Sequence, residues 1–358
     1  MTARYRVGVI GCGGIATAHL QAYRRLPAVE VVAGADPSEE ARRRWTEELG
    51  VPRMYATAEE MLEQERPDIV SICTWPPLRP QMTELACAAG VKAIWAEKPM
   101  AVDLAGCDRM LAAAARAGAV LIVNHQRRFR DRYVKARELI QSGAIGDVVQ
   151  ITGFLGGDLL TGGTHTVDCI RYLLGDPPAE WVIGQIDMRD LPTRRDPRGR
   201  MPEERPHMRY GHYVESGAFA LVQFQGGVRA TLEGGVVMRP GGGGWPAVIY
   251  GTEGMIEVGP DRPVEGQPRL RARLKGQADW VYPEIVPNDG WLAVPARLID
   301  VLEHGGSHPL DGRSARAVME IVLAVLESAR RRGRVDLPLA VQENPLEAMI
   351  TAGEIMVH

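Results

Sequence analysis

The stretch YRVGVIGCGGIATAHLQAYRR, residues 5–25, joins a short apolar run to a helical pattern through a turn rich in glycine. Its first part, Tyr5–Ile10, is short and rich in valine and isoleucine, which predicts a strand, whereas Ile15–Arg25 is long enough for a helix. The turn between them, Gly11–Ala16, has the pattern Gly-x-Gly-x-x-Ala. A strand, a glycine turn and a helix in this order are typical of the first unit of a doubly wound α/β domain.

Strand-like and helix-like segments continue to alternate from this stretch to Val123. The strands are apolar almost throughout, as strands buried on both faces of a sheet are. We therefore expect residues 1–123 to form a Rossmann domain, an α/β fold with a doubly wound parallel sheet. Its further predicted strands are Val29–Ala35, Ile69–Cys73, Ala93–Ala96 and Val120–Val123. Its further predicted helices are Ser38–Leu49, Ala58–Glu65, Arg79–Ala89 and Leu104–Ala117.

The pattern changes after residue 123 to longer strand-like segments separated by turns such as Gln225–Gly227, which predicts hairpins. We expect a C-terminal α+β domain over residues 124–339, with a large open mixed or antiparallel sheet, and a helical tail over 340–358. The predicted strands are Val148–Phe154, Trp181–Met188, Ala218–Phe224, Val228–Leu232 and Val248–Gly251. The predicted helices are Arg132–Ser142, Trp291–Glu303 and Arg313–Arg332.

Two stretches of this second half resist regular structure. Asp190–His212 is rich in proline and arginine, which predicts a long surface loop. Gly241–Gly244 is a run of four glycines, which predicts a flexible connection.

Composition limits the classes of function. A formal net charge of −3 argues against a nucleic-acid partner, whose phosphates favour a basic surface. No apolar run approaches the roughly 20 residues that cross a bilayer, and the first residues lack the apolar segment of a signal peptide. The cysteines are odd in number and form no Cys-x-x-Cys pair, which fits buried thiols in a reducing cytoplasm. They are Cys12, Cys73, Cys87, Cys107 and Cys169.

The glycine turn and the end of the second predicted strand together indicate a dinucleotide site. Gly11 permits the tight turn, Gly13 lets the backbone approach a pyrophosphate, and the following helix offers its positive end. Asp36 ends the second strand twenty residues after Ala16, where a carboxylate binds the hydroxyls of the adenosine ribose. A glycine-rich turn without a ligand is the alternative. The expected cofactor contacts along the turn are Gly11, Cys12, Gly13, Gly14 and Ile15.

Asp36 also bears on which dinucleotide binds. A carboxylate repels a 2′-phosphate, and Pro37-Ser38 supplies no adjacent arginine, so NAD is the expected cofactor. Arg42 and Arg43 lie a turn or more into the next helix and are close enough to reach back. NADP therefore stays open.

The end of a further predicted strand also carries polar residues. The strand Ala93–Ala96 ends in Glu97-Lys98-Pro99 in a chain that has only four lysines, so Lys98 is conspicuous. A lysine can move a proton, which a guanidinium effectively cannot. Ligands bind at the carboxyl edge of such sheets, which places Lys98 beside the nicotinamide end of the cofactor. The alternative is a lysine that caps an exposed strand end.

These residues resemble the Gfo/Idh/MocA family, which includes glucose–fructose oxidoreductase and inositol 2-dehydrogenase. The resemblance covers most of the chain, from Arg6 to about Leu339, and it is specific because the motifs occur together and in this order. They are Gly11–Ala16, Thr74-Trp75-Pro76, Glu97-Lys98-Pro99, Gln126-Arg127-Arg128-Phe129, Gly143–Gly146, Gly163–Asp168, Tyr250–Gly254, and Glu327-Ser328-Ala329 before Leu337-Pro338-Leu339.

The resemblance implies a two-domain NAD(P)-dependent oxidoreductase that acts on a secondary hydroxyl of a sugar, cyclitol or related polyol. It implies that Lys98 contacts both the nicotinamide and the reacting hydroxyl, and that His165 is an acid/base group. Asp168 matches a substrate-contacting position. The cofactor positions it implies are Thr74, Trp75, Pro76, Glu97 and Gln126. It also implies a homodimer or homotetramer formed through the C-terminal sheet.

The chain departs from the family pattern at two positions. Many dehydrogenases of the family carry Asp-x-x-x-His, and here Thr161 stands at the aspartate position. Thr161 can bond a substrate but supplies no charge, so we expect His165 to titrate nearer its unperturbed pKa of about 6.5. The Thr-x-Pro loop usually ends in histidine, where this chain has Arg79.

Other residues allow two interpretations. His165 with Asp168 suggests a metal pair, but no third ligand is indicated, so no metal is expected. Three polar residues either line the substrate cleft or lie on the surface, namely His207, Tyr210 and His212. Of these we expect Tyr210 to bind the substrate. His19 in the first predicted helix is expected to be a packing residue.

Two further functions remain open at the level of sequence. One is an NAD-dependent glycoside hydrolase or lyase-type enzyme, in which bound NAD oxidises and then reduces the sugar within one turnover. The other is a non-catalytic NAD-binding regulator on the same fold. The presence of Lys98 and His165 argues against the regulator, whereas Thr161 leaves it open.

Overall fold

A computed structural model describes residues 5–189, 207–235, 246–260, 265–288 and 290–355. The chain divides into two compact units. The first unit comprises residues 1–129 and 289–316, and the second comprises 130–288 and 317–358. The sequence pattern predicts a second domain over 124–339, whereas residues 124–129 and 289–316 belong to the first unit. Residues 190–206 of the predicted loop and the predicted connection Gly241–Gly244 lie outside the described residues.

The first unit contains a parallel sheet of six strands in the order β3-β2-β1-β4-β5-β6. The predicted doubly wound sheet is therefore confirmed. The strands are β1 Tyr5–Ile10, β2 Val29–Ala35, β3 Arg53–Tyr55, β4 Ile69–Ile72, β5 Ala93–Ala96 and β6 Val120–Val123. The helices between them are α1 Gly14–Arg24, α2 Glu39–Glu47, α3 Ala58–Glu65, α4 Arg79–Ala88 and α5 Leu104–Ala117.

Local side chains determine where several of these helices begin. Ser38, Thr57 and Asp103 each accept a hydrogen bond from a backbone N–H of the first helical turn of α2, α3 and α5. Such N-caps are worth about 1 kcal/mol each. Gly118 ends α5 in the left-handed conformation that favours glycine. The helix positions in this unit therefore follow from short-range chemistry.

The second unit contains a mixed sheet of eight strands in the order β15-β14-β13-β7-β12-β11-β8-β16, and β7 and β12 are parallel neighbours. The predicted mixed sheet is confirmed. The strands of this unit are β7 Val148–Leu155, β8 Ala179–Asp187, β9 Met208–Arg209, β10 His212–Tyr213, β11 Gly217–Phe224, β12 Arg229–Gly235, β13 Ala247–Gly251, β14 Met255–Val258, β15 Leu270–Arg273 and β16 Val335–Asp336, and β9 pairs with β10 as a separate hairpin. The helices after α5 are α6 Asp131–Gln141, α7 Thr164–Leu174, α8 Ala293–His304, α9 Gly312–Arg331 and α10 Pro345–Thr351.

Helix α7 lies directly against β7 because a glycine leaves room for it. A Cβ atom at Gly153 would come within 2.6 Å of Ile170 and 2.7 Å of Thr166, both on α7. Thr166 also donates its hydroxyl to the Phe154 carbonyl at 2.9 Å. This close packing fixes the helix that carries His165 and Asp168.

The segment 289–316 completes the first unit. Val294, Leu298 and Leu310 are buried in the same hydrophobic cluster as residues of β1 and β4. At the edge of the sheet, the Val123 N–H donates to the Leu310 carbonyl, and Ile122 forms a bridge with Asp311. The late segment therefore covers the otherwise open edge of β6.

Two simple properties hold across the described part of the chain. The five cysteines are buried thiols. In the part of the chain that the structure describes, no helix combines the length and apolarity needed to cross a membrane.

Candidate active site

The glycine turn after β1 has a shape that only glycine allows. Gly11 has a φ of 84°, and a Cβ atom there would come within 2.9 Å of the backbone of Cys73 and Thr74. Gly13 caps α1 without a side-chain hydrogen bond, and no atom lies within 4 Å of a Cβ built at Gly13 or Gly14. The start of this eleven-residue helix thus has room beside Gly13 and Gly14, and the N–H groups of a helix start suit a pyrophosphate.

Asp36 supports this turn from the end of β2. One carboxylate oxygen accepts the Cys12 N–H at 2.8 Å, and the other accepts the Ser38 N–H at 2.9 Å. Each oxygen keeps lone-pair capacity for a ribose hydroxyl. Burial, assisted by the Asp36 charge, raises the pKa of the Cys12 thiol, so Cys12 is a neutral packing group. Asp36 therefore has a structural role in addition to the predicted ribose contact.

Two arginines of α2 reach back to the same loops. Arg42 donates to the carbonyls of Asp36 at 2.7 Å and Pro37 at 2.9 Å. Arg44 donates to the Cys12 carbonyl at 2.9 Å. Of the two arginines considered from the sequence, Arg42 is the one whose guanidinium lies beside Asp36. A cation therefore bonds the backbone of the residue whose carboxylate is expected to select NAD.

Glu97 is a buried carboxylate at the end of β5. It accepts hydrogen bonds from His19 Nε2 at 3.0 Å, from the Asn124 side-chain amide, and from the Lys98 N–H at 3.1 Å. Burial alone disfavours its charged form, but the His19 hydrogen bond and the charges of His19, Lys98 and Arg79 outweigh burial. The pKa of Glu97 is lowered to about 2. The backbone at Lys98 is thus held by a permanent anion.

His19 continues this network into the core. Its Nδ1 lies 3.0 Å from the Ser71 hydroxyl, which lies 3.1 Å from the Tyr23 hydroxyl, and its ring stacks on Trp95 at 3.7 Å. His19 is buried as expected for a packing residue, but it also links α1 to Glu97. Neither this link nor the role of Asn124 follows from the sequence pattern, although a histidine on the apolar face of α1 is a visible signal.

The remaining predicted cofactor residues also follow strand ends. Thr74 and Trp75 follow β4, and Pro76 begins a short turn after them. Gln126 begins the turn after β6. The buried oxygens Thr74 Oγ1, Asn124 Oδ1 and Gln126 Oε1 form no hydrogen bond to any residue that the structure describes. Buried oxygens of this kind fit a ligand that brings its own donors.

The second unit brings three predicted residues together near the start of α7. His165 and Asp168 are buried on α7, one turn apart. Thr161 lies in a wider π-helical turn, Leu159–Gly163, and its N–H donates to Asp158 Oδ1 at 2.6 Å. The four-residue spacing of Thr161 and His165 thus crosses a junction between two helix types. The roles of these three residues in substrate binding and catalysis remain predictions.

A buried carboxyl pair that the sequence analysis missed holds this turn. Glu215 accepts the Leu159 N–H at 2.6 Å, and Asp158 caps the same turn. Burial, with the neighbouring Asp158 charge, raises the pKa of Glu215 to about 8. At neutral pH Glu215 is therefore mainly protonated. Asp158 was visible as an N-cap three residues before Thr161, whereas Glu215 is 56 residues from Leu159 and had no local signal.

Tyr210 lies at the tip of the hairpin formed by β9 and β10. Tyr210 and Gly211 have φ values of 47° and 79°, as the central residues of a type I′ turn do. His207 and His212 beside it are buried, so they are not surface polar residues. Across the described residues, no group of three His, Cys, Asp or Glu side chains is arranged to hold a metal ion.

The contacts of Asp36 and Arg42 predict how cofactor preference changes. Asp36→Ser removes the charge that repels a 2′-phosphate while Arg42 stays beside that position. We expect the ratio of NADP to NAD affinity to rise about tenfold, equivalent to about 1.4 kcal/mol. The double variant Asp36→Ser/Arg42→Met should lose most of that gain. Dissociation constants from isothermal titration measure both effects.

Asp36→Asn is the control for this experiment, because its side-chain oxygen still accepts the Cys12 N–H without a charge. A wild-type protein that binds NADP more tightly than NAD would contradict the role of Asp36. A double variant that keeps the full gain would contradict the role of Arg42.

Comparisons with known proteins agree with this geometry. A family model described as "Oxidoreductase family, NAD-binding Rossmann fold" matches residues 5–125, and the model of the GFO/IDH/MocA C-terminal domain matches residues 133–257. D-apiose dehydrogenase of Paraburkholderia graminis is 26% identical over 98% of this chain and 95% of that protein. Myo-inositol 2-dehydrogenase of Thermotoga maritima is 30% identical over 49% of this chain and 56% of that protein.

A solved structure supports the fold as a whole. The structure of levoglucosan dehydrogenase in complex with NADH and L-sorbose superposes with a TM-score of 0.80 at 21% identity, over 94% of this chain and all of that one. Because the two family models match both the Rossmann part and the part that follows it, the chain belongs to the Gfo/Idh/MocA family of oxidoreductases and has an NAD-binding Rossmann domain.

Proposed function

We propose that this protein is an NAD-dependent dehydrogenase or reductase for a sugar, cyclitol or related polyol. It would transfer hydride between nicotinamide and a secondary hydroxyl or keto carbon. The observation that carries the proposal is Lys98 on a turn held by the buried carboxylate of Glu97, at the carboxyl edge of an NAD-binding sheet. The names of relatives support the substrate class, since D-apiose and myo-inositol are a sugar and a cyclitol. Buried thiols support a reducing, cytoplasmic location.

The proposed reaction needs groups that bind the hydroxyl and move its proton. The bound nicotinamide supplies the hydride acceptor or donor. Lys98, half-buried after β5, would donate a hydrogen bond to the oxygen as negative charge develops there. His165 would take the hydroxyl proton in oxidation and return it in reduction. Thr161, Asp168 and Tyr210 would contact the substrate.

The proposal predicts that Lys98 serves chemistry more than cofactor binding. A spectrophotometric screen of sugars, inositols and other polyols with NAD and NADP should find a substrate for the wild-type protein. With that substrate, Lys98→Met should lower kcat by roughly 10²–10³ while the NAD dissociation constant changes little. Lys92→Met is the matched control, because Lys92 is an exposed lysine at the start of the same strand and pairs with Asp68.

The same screen separates the alternatives. Cleavage of a glycoside by protein that retains NAD, with no net nicotinamide reduction, would favour the hydrolase or lyase-type enzyme. Tight NAD binding without turnover of any compound would favour the regulator. Full activity in Lys98→Met would make Lys98 a structural residue.

A second prediction concerns the proton acceptor. If His165 is the base, His165→Ala should lower kcat/KM for alcohol oxidation by roughly 10²–10⁴. Thr161→Asp should move the rise of kcat/KM to higher pH, because an added carboxylate stabilises the protonated imidazole. Glu215→Gln is the control, since an inflection near pH 8 that disappears in this variant belongs to the Asp158–Glu215 pair. An unshifted pH profile of kcat/KM in Thr161→Asp, with a small loss of kcat/KM in His165→Ala, would instead indicate that Lys98 accepts the proton.

We also propose that the protein forms a homodimer or homotetramer through the outer face of the eight-stranded sheet. On β11, Ala218 and Ala220 are buried while Phe219 between them is 55% exposed. Ile183 and Tyr250 are also large exposed side chains of this sheet, at 45% and 42%. Exposed apolar surface of this kind marks interaction sites.

Light scattering tests the oligomer. Phe219→Glu should shift the mass at micromolar concentration toward the monomer, because a charge in an apolar interface is costly to bury. Val286→Glu is the control, since Val286 is 82% exposed outside any strand. A wild-type protein that is already monomeric would refute the proposal.

A further inference from the structure

Arg79 is a buried arginine at a position where the family pattern usually has histidine. It begins α4, yet it is only 5% exposed. Its Nε and Nη2 donate to the Thr74 carbonyl at 3.1 and 2.8 Å, and its Nη1 donates to the Pro99 carbonyl. Arg79, which replaces the usual histidine, therefore makes buried hydrogen bonds and is not an exposed surface residue.

These hydrogen bonds join two loops that carry site residues. Thr74 follows β4 and Pro99 follows Lys98 at the end of β5, and the two strands are paired neighbours. A planar guanidinium with five N–H groups can bond both carbonyls at once. An imidazole has two ring nitrogens, and a lysine has a compact charge, so neither reproduces this fork. Arg79 thus fixes the distance between the Thr74 loop and the Lys98 turn.

Arg79 also adds a fixed positive charge. Burial lowers the pKa of Arg79 to about 10, against the opposing effect of Glu97, so it is a cation at neutral pH. The charge that acts on Arg79 is that of Glu97, on the turn after β5. The same Glu97 carboxylate also interacts with Lys98 and with His19 from α1. The Cys73 thiol from β4 is neutral, since burial raises its pKa. One carboxylate therefore interacts with three side chains that can be cations, His19, Arg79 and Lys98.

We infer that Arg79 is a positioning residue for Lys98 that acts in two ways. Its guanidinium fork holds the turn, and its permanent charge favours the neutral amine of Lys98, because a like charge disfavours protonation. The neutral amine is the form that can accept a proton from a substrate hydroxyl, which is the role left to Lys98 if His165 is not the base. That consequence rests on the proposed function, whereas the effect on Lys98 itself does not.

The small number of lysines makes the electrostatic part directly measurable. Reductive ¹³C-methylation labels Lys92, Lys98, Lys135 and Lys275 together with the amino terminus, and Lys98→Arg identifies the Lys98 signal by its loss. NMR titration of wild-type protein and Arg79→Met should give a Lys98 pKa that is higher in the variant by roughly one unit. Arg79→Lys keeps a charge and should leave the value near that of wild type. Equal Lys98 values in wild type and Arg79→Met would overturn the inference.

Two controls address structural damage. Arg109→Met removes an exposed arginine that pairs with Glu84 between α5 and α4, and it should leave the Lys98 titration unchanged. If Arg79→Met does not fold, Arg79→His supplies the neutral comparison above the pH at which the new imidazole loses its proton. A Lys98 titration that is the same in Arg79→His and wild type would then overturn the electrostatic part.

The kinetic arm follows once a substrate is known. In Arg79→Lys kcat should fall, because a lysine does not reproduce the guanidinium fork that holds the Lys98 turn. An Arg79→Lys variant with wild-type kcat would overturn the positioning part. If no substrate is found, the NMR titration still decides the electrostatic part, so failure of the proposed function and failure of this inference are distinguishable.

Discussion

The burial of one carboxylate, that of Glu97, is the constraint on which the cofactor half depends. A buried charge is costly unless it is paired and hydrogen-bonded. Glu97 therefore requires donors from several elements, and it has them from α1, from the residue after β6 and from the backbone of its own turn. The same bonds that stabilise the anion fix the backbone at Lys98. Stabilising the buried Glu97 carboxylate and positioning Lys98 therefore depend on the same hydrogen bonds.

Local constraints explain why much of the first unit could be predicted. Apolar strands buried on both faces and helices that begin at N-caps leave short-range signals, and the glycine turn requires a φ that only glycine adopts easily. The strand β3 was missed because it has three residues, one of them an exposed arginine. In the second unit the two-residue strands were missed because of their length, and β14 and β15 were missed because charged residues interrupt their apolar runs.

Long-range contacts explain what could not be predicted. His19 and Glu97 are 78 residues apart, and Glu215 and Leu159 are 56 apart, so no local pattern connects them. Compared position by position with the Asp-x-x-x-His pattern of the family, Thr161 stands where an aspartate is usual, which indicates a missing acid. The structure instead has a carboxyl pair on the adjoining turn, which alters the electrostatic setting of that region without restoring the aspartate. The motif at Asp36 identified the residue but not its hydrogen bond to the glycine turn.

The return of residues 289–316 to the first unit has a consequence for how the chain is made. Strand β6 is at the edge of a parallel sheet, and an uncovered edge pairs readily with other chains. Leu310 and Asp311 cover it, and they are synthesised after the whole of the second sheet except its last short strand. During translation the strands of the Rossmann part are made before residues 289–316, which complete the first unit. The nascent chain therefore carries an open edge at β6 until Leu310 and Asp311 have been made.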